Sequence, residues 1–585
     1  MTAKWKWMLW ITGALLLAIV ASVVFIENRG GHYPIYKASS FSHLTPPTAS
    51  AAPIGEPLVQ IGAGTLRGAI AGSAIAFRGI PYARPPVGEL RWQPPQPPLP
   101  WQGVREALQP GSACTQRTSG LAPFIAPMAK AYGSAFEQPS IKSSEDCLYL
   151  DVWVPEWPVK RALPVMVWLH GGSNTVGSGT QSTYDGVSLT RHGVLLVTLN
   201  YRLGVMGFFS HPDLSAESPH HSSGNYGLLD QLAALSWVRQ NIAQFGGDPD
   251  NVTLFGESAG AIDAAQLMAS PLAAGLFKRV ISESGPAFGS GQTSSQAEAF
   301  GSAVSALAPG NSQSTPLEKL RALSATEVEA LVLKAKEHFP ADITAATADG
   351  WVLPMSPQQA FLTGSIQKVD FLIGFNGREL SAFRLSAAAA AKSSGGQSSV
   401  TDSGGLSKFV EAARPYFGGW TKPAIAIYFG RILLNKNAGL DGAANDLIGA
   451  CPIGAMASLT NASGQRVFVY RFDRSIPGKG EAELGAFHSL EVPYVFGSLR
   501  DREWQWLPST ADDASLSDLL QTYWTNFAKT SNPNASGLPN WPAWSDEEKE
   551  FLVVNRDASV TAQHNFPPLL SSLGAKELKQ RFKAN

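Results

Sequence analysis

The chain has 585 residues, of which 44% are hydrophobic and only 16% are charged, and its formal net charge is -1. This composition can fill a large globular core, and it provides no excess of basic residues for binding nucleic acid. The sequence contains no cysteine–histidine cluster, no H-E-x-x-H pattern and no Walker A pattern, so neither a metal nor another cofactor is expected.

The first element in chain order is an apolar run, residues 8–26, which follows Lys4 and Lys6. A secretory signal has an apolar core of about 7–15 residues, whereas roughly 20 apolar residues cross a bilayer. The length of the run therefore favours an uncleaved membrane anchor within residues 1–26, with the rest of the chain exported to the periplasmic or extracellular face. A cleaved signal peptide is the alternative.

Composition also suggests the domain organisation. Residues 27–56 are rich in Gly, Pro, Ser and Ala, which predicts a flexible linker. We expect a single domain at 57–585. Within it, residues 386–405 are an Ala/Ser/Gly-rich stretch of low complexity, which predicts a surface loop.

The chain has three cysteines, Cys114, Cys147 and Cys451. In an oxidising compartment Cys114 and Cys147 could form a disulfide, although their spacing is equally compatible with two buried thiols. Cys451 is then unpaired, and we expect it to be buried as a small apolar side chain.

Short apolar runs alternate with helical patterns along the chain. Strands are predicted at 164–169, 194–199, 252–255, 370–374 and 467–472, and an amphipathic helix is predicted at 230–245. Strands that are apolar on both faces and separated by helices indicate a parallel sheet with helices on each side. The sequence therefore predicts an α/β fold with a large, mostly parallel central sheet.

Ser258 is the candidate nucleophile. It lies in Gly256-Glu257-Ser258-Ala259-Gly260, a G-x-S-x-G pattern between a predicted strand, 251–255, and an amphipathic run, 261–270. A serine is reactive where a tight strand–helix turn exposes its hydroxyl and a base accepts its proton. The pattern has only three fixed positions and also arises by chance, so the other groups must be found elsewhere in the chain.

His170-Gly171-Gly172-Ser173 follows the predicted strand at 164–169. Glycines just beyond a strand allow backbone N–H groups to turn inward and form an oxyanion hole. The N–H groups of Gly172, Ser173 and Ala259 are the candidate donors.

His488 is the candidate base and Glu379 the candidate acid. The order Ser258, Glu379, His488 is the order of nucleophile, acid and base in α/β-hydrolases. Spacing alone does not separate His488 from two other histidines, nor Glu379 from two other carboxylates. Those alternatives are His170 and His192 for the base, and Asp349 and Glu491 for the acid.

The chain resembles the type B carboxylesterase family over roughly residues 57–568. The motifs that carry the resemblance lie at 77–83, 85–88, 144–150, 200–204, 245–249, 374–379 and 485–497. The resemblance implies the α/β-hydrolase fold and hydrolysis of carboxylic esters. By motif it assigns Ser258 as nucleophile, Glu379 as acid and His488 as base, with an oxyanion hole from Gly172, Ser173 and Ala259.

The same resemblance implies further structural pairs. It predicts a disulfide between Cys114 and Cys147 and an ion pair between Arg91 and Glu145. It also implies that Ser284 belongs to a polar network beneath the catalytic residues.

The chain departs from the family pattern at three positions. Ser173, Leu380 and Ser489 stand where the family usually has glycine. None of these changes removes a reacting group, but each can alter the conformation of a loop around the site.

The substrate is expected to be a small-molecule ester with an apolar acyl or aryl group. The segment between the first two cysteines has no tryptophan, which disfavours a choline ester because that segment supplies a cation-binding tryptophan in cholinesterases. It contains instead Phe124, Met128, Tyr132 and Phe136. The alternative functions are a non-catalytic adhesion protein of cholinesterase type, or an acyltransferase or amidase using the same residues.

Overall fold

The computed structural model describes residues 33–44, 55–393 and 445–564, apart from 118, 140, 289–290, 311–312 and 340–343, together with the single residues 442, 566, 576, 579 and 580. The predicted anchor or signal segment, residues 1–26, lies outside the described residues and stays a prediction. Within the described residues, no helix has the length and apolar character needed to span a membrane.

The main feature of the described residues is one large sheet of twelve strands. Its strands, numbered in chain order, are β1 (Tyr36–Lys37), β2 (Ala69–Ala71), β3 (Ala74–Pro81), β4 (Tyr149–Val154), β5 (Leu163–Leu169), β6 (Leu195–Leu199), β7 (Gly247–Glu257), β8 (Arg279–Glu283), β9 (Asp370–Asn376), β10 (Val467–Phe472), β11 (Phe551–Val554) and β12 (Ser559–Gln563). They lie in the order β1-β12-β11-β10-β9-β8-β7-β5-β6-β4-β3-β2.

The central strands, from β11 to β6 in that order, are all parallel. The outer strands are antiparallel at both edges. The prediction of a parallel sheet is therefore confirmed for the centre. The edges differ because neighbouring strands such as β2–β3 and β11–β12 are joined by short turns, which permit only antiparallel pairing.

The bounds of the observed strands agree with the predicted bounds to within a few residues. The helix predicted at 230–245 begins earlier, at Tyr226. The described helices are α1 (Ala122–Ala131), α2 (Val187–Thr190), α3 (Gly204–Phe208), α4 (Pro212–Glu217), α5 (Tyr226–Asn241), α6 (Ala259–Ala269), α7 (Ser294–Ser305), α8 (Pro316–Ala322), α9 (Ala325–Lys336), α10 (Pro357–Thr363), α11 (Glu379–Ser393), α12 (Cys451–Asn461), α13 (Glu481–Leu484), α14 (Val492–Phe496) and α15 (Ala511–Thr530). Shorter strands at 58–61, 64–67 and 104–106 form a separate small sheet.

Helices cover both faces of the large sheet. Along β5, Val165 and Val167 point into one buried cluster, whereas Met166 and Trp168 point into the other, as the two-residue period of a strand requires. Helices α5 and α6 pack in the first cluster, and α14 and α15 pack in the second. The architecture is the predicted α/β arrangement.

The prediction of a flexible linker at 27–56 is wrong for residues 36–44. Strand β1 pairs with β12, through Tyr36 opposite Val560, and a 3-10 helix, Ala38–Leu44, follows it. The side chain of Phe41 is buried beside α15. The segment packs because it supplies partners to an otherwise open sheet edge and brings one aromatic side chain to the core.

The prediction of a loop at 386–405 is likewise wrong for its first part. Residues up to Ser393 continue helix α11. Alanine is the strongest helix former, so the alanine run of this low-complexity stretch favours a helix even without a core to bury. The remainder, 394–405, lies outside the described residues.

The disulfide that the resemblance implied and the buried free cysteine expected from the sequence are both confirmed. Cys114 and Cys147 form a disulfide that links residues 33 positions apart, and Cys451 is free and buried. The ion pair beside the disulfide is also confirmed, since Arg91 Nη2 and Nε lie 2.6 and 2.8 Å from the carboxylate oxygens of Glu145.

Candidate active site

The carboxyl ends of adjacent parallel strands bring the candidate residues to one edge of the sheet. Leu169, the last residue of β5, lies opposite Gly256 of β7, and Glu257 lies opposite Glu283 of β8. The loop at 170–174 therefore starts next to Ser258. Ligands of open α/β sheets bind at this edge, which makes it the expected location of a site.

Ser258 lies on a sharp turn between β7 and α6, with φ 54° and ψ -122°. A positive φ is costly for a non-glycine residue, so the surrounding packing must hold this conformation. The turn also depends on Gly256 and Gly260. A Cβ at Gly260 would lie 2.0 Å from Leu169 O, and one at Gly256 would lie 2.6 Å from the backbone of Gly260.

His488 and Glu379 form a short hydrogen bond. The distance from His488 Nδ1 to Glu379 Oε2 is 2.5 Å, and both side chains are buried. The other oxygen of Glu379 accepts a hydrogen bond of 2.7 Å from the backbone of Asn376, at the end of β9. The two loops are held together because the N–H of Arg378 donates to Ala486 O at 2.9 Å.

The second imidazole nitrogen faces a carboxylate that the sequence did not single out. His488 Nε2 lies 3.2 Å from Glu257 Oε1, the same oxygen that accepts a hydrogen bond of 2.5 Å from Ser489 Oγ. Ser258 Oγ forms no hydrogen bond with His488, although both residues line one cavity. In unliganded enzymes such contacts are often long and close only around the substrate.

The carboxylates decide the protonation of His488. Burial alone lowers the pKa of this imidazole, but the negative charges of Glu257, Glu379 and Glu491 outweigh that effect and raise the pKa to about 9. A nearby opposite charge favours the ionised form of a histidine. The site is therefore built to stabilise an imidazolium.

Two further buried carboxylates lie beneath the site. Burial, together with the charges of Glu257 and Glu379, raises the pKa of Glu491 to about 8, and burial raises the pKa of Glu283 well above its usual range. Glu491 accepts a hydrogen bond from the side chain of Asn376. Ser284 Oγ is 3.4 Å from Glu491 Oε1, which agrees with the polar network that the resemblance implied.

The alternative bases and acids take part in other structures. His170 Nδ1 bonds Gly171 O, burial lowers its pKa to about 4, and no carboxylate among the described residues bonds it. Burial likewise lowers the pKa of His192 to about 3. Asp349 accepts the backbone N–H groups of Trp351 and Leu353 in a turn. Glu491 is adjacent to the site but does not bond the imidazole.

The candidate oxyanion donors are oriented by their own peptide planes. In a trans peptide the C=O and the following N–H point in opposite directions. Gly171 O accepts from His170 Nδ1 at 2.8 Å, and Gly172 O accepts the N–H groups of Thr175 and Val176 at 3.0 and 3.1 Å.

Because each of those carbonyls points toward its donor, the N–H of the following residue points the opposite way. The N–H groups concerned belong to Gly172 and Ser173. Ser258 O accepts from Ile262 N at 2.9 Å, which orients the N–H of Ala259 in the same manner. Among the described residues these three N–H groups have no acceptor. They are available to a ligand oxygen.

Ser258 opens into a cavity of about 230 Å³ with a largely apolar wall. Phe124 and Met128 line it, as expected for the segment between the cysteines. Tyr132 instead bonds Ile476 O, and Phe136 packs against the core. The other apolar lining residues include Leu121, Ile125, Phe383, Val492 and Trp504.

Several of these residues were not found by sequence reasoning. Phe383 lies 5.0 Å from the ring of His488 and 5.0 Å from the ring of Phe124, and Trp504 comes from a distant segment. No local pattern marks either position. Glu257 occupies a variable position of the G-x-S-x-G motif, and its place next to Ser258 is the one signal that the sequence offers.

A central parallel sheet, with a serine on a strained strand–helix turn at its carboxyl edge, defines an α/β-hydrolase. Residues 55–568 match the model of the carboxylesterase family, and the chain belongs to that family. The protein is a carboxylesterase, a serine hydrolase that acts on carboxylic esters.

The curated relatives and solved structures agree with this family. The chain is 36% identical to the para-nitrobenzyl esterase of Bacillus subtilis (strain 168), over 85% of this chain and 94% of the relative. It is 34% identical to carboxylesterase 1D of Rattus norvegicus, over 86% and 89%. A solved structure of a PNB esterase aligns with a TM-score of 0.72 and 31% identity, over 90% of this chain and 99% of that one.

Proposed function

We propose that Ser258, His488 and Glu379 hydrolyse esters through a covalent acyl-enzyme. The observation that carries the proposal is the combination of a strained serine and an imidazole at one cavity, a carboxylate bonded to that imidazole, and three nearby N–H groups that have no acceptor among the described residues. A serine, a base and an acid in these relations form the group that activates a hydroxyl for attack on a carbonyl.

In the first half-reaction Ser258 Oγ attacks the ester carbonyl and its proton passes to His488 Nε2. Glu379 keeps the ring oriented through Nδ1 and stabilises the imidazolium. The carbonyl oxygen becomes an oxyanion that accepts hydrogen bonds from Gly172, Ser173 and Ala259. Collapse of the intermediate breaks the ester C–O bond, and His488 gives its proton to the departing alcohol.

In the second half-reaction water takes the place of the alcohol. His488 accepts a proton from water as its oxygen attacks the acyl carbon, and the same three N–H groups stabilise the new oxyanion. Collapse releases the carboxylic acid, and the proton returns to Ser258 Oγ. Bonds and protons balance without a cofactor.

We propose that the preferred substrates are esters with an apolar acyl group or an aryl group. The cavity wall supports this preference, since Phe124, Phe383 and Trp504 offer aromatic surface. The name of the Bacillus relative, a para-nitrobenzyl esterase, refers to an aryl-bearing ester and is consistent with it. A panel of acetate to octanoate esters of p-nitrophenol and of simple alkanols would test the preference, with Phe124→Ala as the variant that reduces it.

The nucleophile is tested by Ser258→Ala. We expect hydrolysis of p-nitrophenyl butyrate to fall by at least about a thousandfold, as in other serine hydrolases that lose the nucleophile. Ser236→Ala is a matched control, because Ser236 Oγ bonds Leu232 O within α5 and does not line the cavity. Full activity in Ser258→Ala would refute the mechanism. Wild-type protein without activity on any ester would favour the non-catalytic alternative.

An acyltransferase differs from a hydrolase only in the acceptor. With an added alcohol the acyl-enzyme partitions between water and the alcohol, so the ratio of acid to transesterified product measures the preference. Amides of the same acyl groups, assayed in parallel, test the amidase alternative.

We also propose that the protein is exported, with residues 1–26 as an anchor or signal. The Cys114–Cys147 disulfide is consistent with an oxidising compartment. Cell fractionation and sequencing of the mature amino terminus would distinguish an anchor from a cleaved signal. Activity confined to the cytoplasm would contradict export.

A further inference from the structure

The loop that carries two of the candidate oxyanion donors ends at Asn174, a buried residue with φ 53°. Asparagine tolerates this left-handed conformation better than other non-glycine residues. Its backbone oxygen accepts a hydrogen bond of 2.6 Å from Gly204 N. Its side chain bonds two different elements, so the role of Asn174 extends beyond the turn.

One partner of the Asn174 side chain is Tyr201, which follows strand β6. Tyr201 OH, two residues beyond β6, lies 3.0 Å from Asn174 Oδ1 and 2.7 Å from His170 O. The ring of Tyr201 also stacks on the ring of His170, with centroids 4.5 Å apart. Tyr201 thus contacts both ends of the 170–174 loop.

The Asn174 side chain also bonds the helix that follows the nucleophile. Asn174 Nδ2 donates to Asp263 Oδ1 at 3.1 Å, and Gln231 Nε2 donates to Asp263 Oδ2 at 2.6 Å. Asp263 is fully buried, and burial raises its pKa to about 7. A buried carboxyl is costly, and two amide donors offset part of that cost.

Asp263 lies one helical turn beyond Ala259 on α6. The Asn174–Asp263 hydrogen bond therefore joins the loop that carries Gly172 and Ser173 directly to the helix that carries the third donor. The two halves of the hole belong to different strand–loop units, and this bond is a direct side-chain link between them.

We propose that Asn174 and Asp263 are positioning residues, which hold the two halves of the oxyanion hole at the spacing that the tetrahedral intermediate requires. The inference rests on the proposed function, because it assigns a role to groups that support that hole. Neither residue touches the substrate. Their effect is on the relative position of the donors, and displacement of catalytic groups by about 1 Å can reduce a rate by about a hundredfold.

The test is a double-mutant cycle with Asn174→Gly and Asp263→Ala. Glycine keeps the positive φ of residue 174 freely available while it removes the side chain and its hydrogen bonds, so Asn174→Gly is the cleaner variant. The measurements are kcat and KM for p-nitrophenyl butyrate and the inhibition constant of a phenyl-substituted trifluoromethyl ketone. Ser258 Oγ adds to that ketone, its proton passes to His488, and the ketone oxygen becomes an oxyanion in the hole.

We expect each single variant to lower kcat by about tenfold to a hundredfold, with KM changed by less than about threefold. The inhibition constant of the ketone should rise by the same factor as kcat falls. The double variant should lose no more than the more affected single variant, because residues that act through one bond are not additive. Thr525→Val, which removes a buried hydrogen bond within α15, is the control for a general loss of stability.

Unchanged kcat in Asn174→Gly, a change confined to KM, or additive losses in the double variant would overturn the proposal. If Asp263→Ala fails to fold, Asn174→Gly and the ketone still decide the outcome. A failure of the proposed function is distinguishable, because Ser258→Ala would then retain activity. An inactive Ser258→Ala together with a fully active Asn174→Gly would reject the positioning role alone.

Discussion

His488 Nε2 lies 3.2 Å from Glu257 Oε1, so the nitrogen that would accept the proton of Ser258 faces a buried carboxylate from the neighbouring residue of the elbow. The other ring nitrogen is bonded to Glu379. The imidazole is thereby placed between two carboxylates, and its charged form is stabilised from both sides.

This arrangement makes a prediction about the pH dependence of hydrolysis. A general base must be neutral, and the carboxylates raise the pKa of His488 to about 9, so kcat/KM should fall as the pH drops through an apparent pKa above 6.5. Glu257→Gln removes one of the stabilising charges. We expect its acidic limb to lie about one pH unit or more lower than that of the wild type.

The measurement is kcat/KM for p-nitrophenyl butyrate as a function of pH. Glu257→Gln keeps the size of the side chain and leaves Glu379 and Glu491 in place. An acidic limb that stays in place, or that moves to higher pH, would contradict the assigned influence of Glu257 on His488.

Glu379 and Glu491 are predicted to differ in their importance for turnover. Glu379→Gln removes the charge bonded to His488 Nδ1, and we expect kcat to fall by roughly a hundredfold to ten-thousandfold. Glu491→Gln removes a carboxyl that contacts Asn376 and Ser284 but not the ring, so a loss below about tenfold is expected. A larger loss in Glu491→Gln than in Glu379→Gln would show that the acid is misassigned.

The folded protein should lose stability as the pH rises from about 4.5 to about 9. The pKa of Glu491 is raised from 4.5 to about 8, so its protonated form favours the folded state; this stabilisation is complete below 4.5 and is lost as the pH rises through about 8. The raised pKa of His488 changes stability in the same direction. Its stabilisation of the folded state is complete below pH 6.5 and is lost as the pH rises through about 9.

Thermal unfolding at a series of pH values would measure this loss. Glutamine cannot ionise, so the melting temperature of Glu491→Gln should depend less on pH. Relative to the wild type, that melting temperature should be highest at alkaline pH. A melting temperature that rises between neutral and alkaline pH would contradict the prediction.

Ser173 has φ 57° where the family usually has glycine, and its side chain lines the cavity. A left-handed serine costs about 1 kcal/mol relative to a glycine. Ser173→Gly should therefore not lower the melting temperature, and it should increase kcat/KM for bulky acyl esters relative to acetate by severalfold. The ratio of activities on p-nitrophenyl octanoate and acetate measures the effect. An unchanged ratio would indicate that Ser173 does not limit the acyl group.

The Cys114–Cys147 disulfide closes a loop of 33 residues. In the chain-entropy model a loop of this length contributes about 3–4 kcal/mol to the free energy of unfolding. The double variant Cys114→Ser/Cys147→Ser should therefore melt at a lower temperature, and reductant should affect the wild type but not the variant. Cys451→Ser, at the free buried cysteine, controls for the loss of a thiol.

Elements that depend on local pattern were predictable. The strand before Ser258 and the strand at Val467–Phe472 are short, mostly apolar runs rich in β-branched and aromatic residues, a composition typical of buried parallel strands. The G-x-S-x-G motif similarly requires glycines at 256 and 260, because the strand and helix backbones approach each other there. Short-range sterics decide these features, and short-range sterics are encoded in neighbouring residues.

Elements that depend on partners far along the chain were not predictable. The composition of residues 36–44 resembles a linker, and the segment packs only because β12 presents an open edge and α15 presents a surface for Phe41. The alanine run after Ser386 lacks core-forming residues and its composition predicts a loop, whereas helix propensity is sufficient to extend α11 to Ser393.

The sequence by itself therefore determined the sheet's central strands, the elbow, and the chain order of the candidate nucleophile, acid and base. Only the tertiary structure determined that His488 lies between Glu257 and Glu379, that Trp504 and Phe383 line the cavity, and that Asn174 is bonded to Asp263. The physical reason is the distance along the chain over which each interaction acts. Backbone conformation follows from residues close in sequence, whereas the protonation of His488 and the shape of the cavity follow from charges and side chains that meet only when distant strands and loops are assembled.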